Sequence, residues 1–365
     1  MHITIERTAL VTVLTRASQF SDARGTIPVL GYALFTATDS GLTSTATILE
    51  QQITDRAECQ TEAAGSALIP VAQVLDIAKK LPREAVITIR TTDTRLTIKS
   101  GSYSSHVALV DTRDFPVMPE TEYECSFTVD ASVLRHSLER VSFAMSSEET
   151  RYFLCGVFIH TDGEKLKFCA TDGHRLAVSR IVRPDITGEF DKGVIVPRKL
   201  VTDIVRLLDG AGEVTVRLSG NRIMFDLGFC RVEGKLIDGN FPEYQRVIPK
   251  TNGNIVTLPT RQFNDAVQRV SVVSKDRSKP VKIILDSGEM TITCDQDGNS
   301  AEDKISVEYE KDQLTIGFQA RYISDVLSGF VGNSVWKFGD GSGSPAVVMD
   351  SGNEDILCVL MPVRV

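Results

Sequence analysis

The chain has 365 residues, and its 40 basic against 48 acidic side chains leave a formal charge of −8. That length exceeds what one hydrophobic core fills, since single cores stop growing near roughly 250 to 300 residues, so two or three domains are expected. With 42% apolar and 24% charged residues the chain is neither disordered nor fibrous, no run of residues is long and apolar enough for a membrane span, and the acidic balance by itself counts against a nucleic-acid partner.

The first segment, from Met1 to Leu14, mixes Glu6 and Arg7 into its apolar residues and lacks the layout of a signal peptide. Seven scattered cysteines with no C-x-x-C pair predict reduced thiols and a cytoplasmic location. Ile3 to Ala17 reads as a short strand feeding an amphipathic helix, with apolar residues at Leu10, Val13, Leu14 and Ala17. The same pattern returns at Phe127 to Val141 (Leu134, Leu138, Val141) and at Ile255 to Val270 (Phe263, Ala266, Val267, Val270). A second strand-to-helix echo follows each of these, at Ala67 to Leu81, Val194 to Leu208 and Leu314 to Ser328. Ile69, Val196 and Ile316 hold equivalent places, 127 and 120 residues apart, so the repeat period is about 120 residues. Alternating strands around turns follow every second helix, as at Val214 to Leu218 and Ile223 to Phe225. The expected fold is α+β: three repeated domains over 1–120, 121–248 and 249–365, each with two helices on antiparallel sheets.

None of the thirds is basic; their charges are −2, −2 and −4. The candidate helices nevertheless carry Arg16, Lys79, Lys80, Arg135, Arg140, Arg206, Arg261, Arg269 and Arg321, while acids gather in segments read as loops, Ser146 to Glu149 and Asp295 to Asp303. For any one helix a solvated face explains the bases; their recurrence over six helices favours a shared basic surface.

Five ordered motifs carry a resemblance: Arg151-Tyr-Phe-Leu-Cys-Gly156, Ala170-Thr-Asp-Gly-His-Arg-Leu-Ala177, Asp238-Gly-Asn-Phe-Pro-Glu-Tyr-Gln-Arg-Val-Ile-Pro249, Arg321-Tyr-Ile-Ser-Asp-Val-Leu327 and Val359-Leu-Met-Pro-Val-Arg-Val365. Together with the length and the threefold repeat, they resemble the bacterial DNA polymerase III beta subunit family, the replicative sliding clamps. The resemblance implies a head-to-tail homodimer of three-domain DNA-clamp chains, closing a six-domain ring around double-stranded DNA without reading its sequence. Its implied partners are the replicative DNA polymerase alpha subunit, the clamp loader and other proteins with a clamp-binding motif.

By matching motif positions, the DNA-facing residues would be Arg24, Lys79, Tyr152, Phe153, Arg198, Lys199 and Arg246. The family's dimer contact would set Val272 and Val273 against Ser105 and Val107. An apolar cleft for an extended partner peptide would use Leu154, Thr171, Gly173, His174, Arg175, Leu176, Pro242, Arg246, Val247, Gln319, Tyr322, Pro345, Val359, Leu360, Met361, Pro362 and Arg364. On residues alone, the tail from Val359 reads as a terminal strand with a frayed end. Where some relatives place an aromatic gate, this chain has Ser278.

An enzyme reading stands as the alternative, a three-domain cytosolic hydrolase using Asp172 and His174 around Gly173, or a thiol at Cys155 or Cys169. A Thr-Asp-Gly segment is more often a hairpin turn, and a buried Cys more often core packing. His2, His106, His136, His160 and His174 show no metal-ligand spacing, and Gly339 to Ser344 lacks the Lys and helix of a phosphate loop. Neither catalysis nor a cofactor is expected.

Overall fold

The computed structural model describes every residue except Asp93, Val117, Glu120, Asp191, Arg277 and Ser278. Six helices occupy the six repeat positions: α1 (Arg7–Ala17), α2 (Val71–Lys80), α3 (Ala131–Ser142), α4 (Arg198–Leu207), α5 (Thr260–Ser271) and α6 (Ala320–Leu327). Each follows a strand with no intervening loop. Pro70, Pro197 and Pro259 mark three of these switches. Proline suits such a switch, because its fixed φ leads into the first helical turn and its missing N–H would have had no helical partner there. The apolar stripes read from the sequence are the buried faces, with Leu10, Val13, Leu14 and Ala17 on α1 and Phe263, Ala266, Val267 and Val270 on α5 all enclosed. Within their own units α1 packs on α2, and α5 on α6.

The described chain forms two compact units, Met1–Ser132 with Asp185–Glu189 and Arg206–Leu236, and Val133–Pro184 with Phe190–Val205 and Ile237–Val365. The first holds a five-stranded sheet (in order Gln60–Ala63, His2–Glu6, Val86–Thr91, Arg95–Ser100, Tyr103–Ala108) and an eight-stranded sheet. The second holds an eight-stranded sheet and a four-stranded one, the latter in order Asn299–Ser306, Glu289–Gln296, Pro280–Asp286, Leu314–Gln319. All pairings between these strands are antiparallel.

Strand pairing runs across the repeats. Val232 pairs with Ile53 to join strands of the first and second thirds, and Ala177 pairs with Cys358 to join the second and last. Periodicity does not reveal this, because a strand's alternation shows which face is buried and not which strand lies beside it. The acidic stretch Asp295 to Asp303 is also not a loop: it lies on the hairpin of Glu289–Gln296 and Asn299–Ser306, whose turn spans Gln296 to Asn299.

In the first unit α1 is tied to the strand Gln51–Ala57 by a buried ion pair, Arg16 Nη1 to Asp55 at 3.2 Å, with the guanidinium 4.1 Å above the Phe229 ring. Burial raises the Asp55 pKa more than Arg16 lowers it. The carboxylate is therefore costly to bury even beside its partner, and more so without it. Arg16→Ala is expected to lower unfolding stability by about 3 to 5 kcal/mol. Chemical denaturation checks this, and a loss under about 1 kcal/mol would contradict it.

Candidate functional site

In the second unit's eight-stranded sheet, the strands Gly156–Thr161, Lys165–Thr171, Arg175–Val182, Asn353–Leu360, Ala346–Asp350 and Asn333–Phe338 lie consecutively. Their register sorts side chains onto two faces. One cross-strand row, Ala170, Ala177, Cys358, Val348 and Trp336, belongs to the helix side, where Trp336 meets Phe263 of α5 at 5.2 Å between ring centroids. The rows on the opposite face are Phe158, Cys169, Val178, Leu357 and Met349, then Thr171, Leu176, Val359 and Val347. The segment Phe241 to Ile248 covers part of that second face, packing Phe241, Tyr244 and Ile248 onto it.

Where this cover ends, a cleft of about 220 Å3 opens, lined by Leu154, Thr171, Gly173, Arg175, Leu176, Pro242, Glu243, Tyr244, Val247, Val359 and Met361. Nine of these were expected from the sequence. Glu243 and Tyr244 were missed, although they lie inside the Asp238 to Pro249 motif. Their neighbours carried the resemblance, and nothing in local pattern tells which residues of an irregular segment turn toward a cleft.

Other expected positions do not line this cleft. His174 and Tyr322 line a neighbouring polar groove of about 460 Å3 with Arg151, Arg198 and Arg321, a groove that Arg175 shares with the cleft. Leu360 is buried in its strand, Arg246 is exposed and paired with Glu243 at 2.5 Å, and the Pro345 carbonyl accepts from Asn252 Nδ2 at 2.8 Å. Gln319 ends a strand opposite Pro280, Pro362 is half-buried and Arg364 exposed. Ser278 lies outside the described residues.

Arg175 joins the two grooves. Only 6% exposed, it donates from Nη1 to Asp325 at 2.5 Å, from Nη2 to the Phe143 carbonyl at 2.6 Å and from Nε to Asp172 at 3.2 Å. Its guanidinium also lies 4.5 Å from the Tyr322 ring centroid. Burial raises the Tyr322 hydroxyl pKa, with Asp172 adding to the rise and Arg175 opposing it.

The tail is not frayed. Met361 N donates to the His174 carbonyl at 2.9 Å and Val363 N to the Gly317 carbonyl at 2.8 Å. Gly317 is the seat of this contact, because a Cβ there would stand 2.6 Å from the Val363 carbonyl oxygen and 2.4 Å from Val365 Cγ1. Gly317→Val is expected to dislodge the tail, seen as faster amide exchange at Val363 than in the unsubstituted chain. Unchanged protection there would contradict this reading.

The enzyme reading loses its residues here. Asp172 Oδ1 accepts from the backbone N–H groups of His174 and Arg175 at 2.9 and 3.0 Å, which makes it the turn residue of a hairpin. The His174 ring stacks on Tyr322 at 6.2 Å. Burial raises the Cys169 thiol pKa well above its ordinary value, away from nucleophilic use. All seven cysteines are free, and no group of potential ligands suited to a metal occurs among the described residues.

The expected basic surface is thinner than the sequence suggested. Six of its nine bases are committed to acids: Arg16 to Asp55, Arg135 to Glu139, Arg140 to Asp350, Arg261 to Asp265, Arg269 to Asp303 and Arg321 to Asp325. Lys79, Lys80 and Arg206 have no ion-pair partner among the described residues. Of the residues expected to face DNA, Arg24 and Lys79 are exposed in the first unit. In the second unit, Tyr152 is half exposed, with its ring edge-on to Phe153 at 5.7 Å, and Lys199 pairs with Asp203 at 2.6 Å. Arg198, by contrast, donates to the Met145 and Ser146 carbonyls and has no acidic partner among the described residues.

Of the expected contact residues, Ser105 and Val107 lie on Tyr103–Ala108, the last strand of the five-stranded sheet, where the Ser105 hydroxyl is buried without a partner among the described residues. Val272, just after α5, is 74% exposed, and Val273 is half-buried. The acidic strand Asn299–Ser306, on which α5 packs, is likewise the end of its sheet.

Three family models match the chain in succession. These are the N-terminal domain of the DNA polymerase III beta subunit over residues 1–119, its central domain over 128–243 and its C-terminal domain over 245–364. The chain is 36% identical to the beta sliding clamp of Caulobacter vibrioides over 374 aligned residues, covering 100% of both. It is also similar, over 100% of both chains, to two solved structures. One is a Caulobacter crescentus beta sliding clamp with PEG bound at its proposed beta-motif tethering region (TM-score 0.95, 35% identity). The other is the Bartonella birtlesii sliding clamp bound to griselimycin (TM-score 0.95, 34% identity).

Proposed function

The chain belongs to the family of the DNA polymerase III beta subunit, the beta sliding clamp, and from that premise we propose how its residues share a clamp's work. A sliding clamp is a processivity factor and not a catalytic enzyme: it holds a polymerase on DNA. In this reading two copies join head to tail in the cytoplasm and close a ring on duplex DNA. Tethering is then topological, so no single contact has to be strong. Bases such as Arg24, Lys79 and Arg198 meet phosphates, which carry no sequence information, and the ring slides. The net charge of −8 does not oppose this, because binding depends on which face carries the uncommitted bases.

The head-to-tail contact joins the two open sheet ends, Tyr103–Ala108 of one copy and Asn299–Ser306 of the other, with Val272 and Val273 covering Ser105 and Val107. An unpaired strand edge invites just such pairing.

The cleft takes an extended segment of the replicative polymerase alpha subunit, the clamp loader and other clamp-binding proteins. The observation that carries this is its lining, a floor of Leu176, Val359 and Met361 with polar anchors at Thr171 and Arg175. An apolar cleft with few polar anchors suits a peptide whose one or two apolar side chains each contribute about 1.5 to 3 kcal/mol on burial. We expect griselimycin, carried by the Bartonella relative, to bind in the same cleft. Primer extension with the cognate polymerase and clamp loader tests the whole reading. Longer products on adding the protein are expected, and unchanged product length would overturn it.

A further inference from the structure

The cleft wall from Phe241 to Val247 has little backbone support. Among the described residues its backbone bonds are local, Tyr244 N to the Pro242 carbonyl and Arg246 N to the Glu243 carbonyl, and it joins no sheet ladder. Side chains hold it instead, and they converge on one residue that neither the resemblance nor the cleft lining names. His160 lies on the strand Gly156–Thr161, paired on both sides within the sheet, and is 8% exposed. Its Nε2 is 2.9 Å from the Tyr244 hydroxyl. Phe158, two residues earlier on the same face, stacks on His160 at 4.8 Å and on Phe241 at 4.9 Å with planes 8° apart. Tyr244 closes the group edge-on to both His160 and Phe241. Four rings and one hydrogen bond therefore fasten an otherwise unladdered wall to a rigid sheet.

We propose that His160 is a positioning residue for the cleft: its neutral imidazole, bonded to Tyr244 and stacked on Phe158, holds the Pro242 to Val247 wall in place, so that binding in the cleft weakens when the bond to Tyr244 is lost or the ring is protonated. The inference rests on the reading of the cleft as the partner-peptide site.

Protonation matters because the imidazolium ring nitrogens only donate. A neutral Nε2 can accept the Tyr244 hydroxyl proton, whereas a protonated one forces that hydroxyl to turn and places a charge among three aromatic rings. Burial lowers the His160 pKa, and Lys167, directly opposite on the neighbouring strand, lowers it further; the backbone bond at Thr161 and the Asp162 carboxylate act the other way. Lys167 is itself ion-paired with Asp162, and Arg180 lies next along the same cross-strand row. Cys169 and Tyr244, whose pKa values burial raises, stay neutral throughout. The ring is therefore neutral at pH 7.5 and begins to charge only on the acid side of the ordinary histidine range.

The test uses the full chain with griselimycin as probe, titrated from pH 8 to pH 5. Unsubstituted protein is expected to lose affinity toward the acid end of that range. His160→Gln, whose amide reaches the Tyr244 hydroxyl without titrating, should bind within about twofold of it at pH 7.5 and show no acid step. His160→Phe and Tyr244→Phe, which keep the rings and lose the bond, should bind about tenfold more weakly, and His160→Phe, which has no titrating ring there, should show a flat profile. His174 stays in place in all three variants, so an acid step that survives in His160→Gln belongs elsewhere and overturns the proposal. So does full affinity in His160→Phe. Val247→Glu, an exposed substitution on the same wall, separates the two readings: if it leaves griselimycin affinity unchanged, the cleft assignment itself fails.

Discussion

Ending the chain at Leu360 is expected to weaken binding of a partner peptide at least about 30-fold, some 2 kcal/mol, while moving the unfolding midpoint by only a few degrees. The structure separates these effects. Val359 and Leu360 belong to a strand flanked on both sides, Val359 between Leu176 and Val347 and Leu360 between Arg175 and Ala346. Removing them would injure the sheet. Met361 lies beyond the ladder and lines the cleft, and the residues after it are tied down at Gly317. Losing Met361 to Val365 therefore removes part of the cleft floor and little of the core. Truncating a central anchor typically costs 2 kcal/mol or more, whereas trimming rim contacts costs about nothing. Fluorescence anisotropy with a labelled polymerase peptide measures it, and affinity within about threefold of the full chain would contradict the cleft reading.

Replacing Val272 and Val273 together by Glu is expected to weaken the dimer at least about 100-fold, since carboxylates placed without partners in an apolar contact cost several kcal/mol. Val272 is 74% exposed and Val273 half-buried in the single chain, and neither belongs to the unit's buried core. Sedimentation at micromolar concentration should then report a species of 40.0 kDa where the unsubstituted protein gives twice that mass. A dimer that persists would place the contact elsewhere.

The repeat was legible because each helix is fed directly by a strand, and buried stripes such as Leu10, Val13 and Leu14 recur at the helical period. Tertiary neighbours were not legible. The pairings of Val232 with Ile53 and of Ala177 with Cys358 join residues far apart in the chain, and nothing local encodes them. The basic faces were over-read partly for the same reason, since Arg269 looks uncommitted on its helix until the hairpin brings Asp303 to 2.6 Å, whereas the pairs Arg135–Glu139, Arg261–Asp265 and Arg321–Asp325 lie one helical turn apart and are local. In the cleft, motif residues such as Leu176 and Val359 were readable by resemblance. Tyr244 and His160 were not, because their roles arise from a hydrogen bond between elements 84 residues apart.

Topological tethering is tested most directly by loading the protein with a clamp loader and ATP onto nicked circular DNA, then cutting the circle once and passing it through a sizing column at high salt. A ring should stay with the intact circle and run off the cut one, because salt screens phosphate contacts but cannot open a closed ring. Equal retention on circular and linear DNA, or loss from both, would contradict the account.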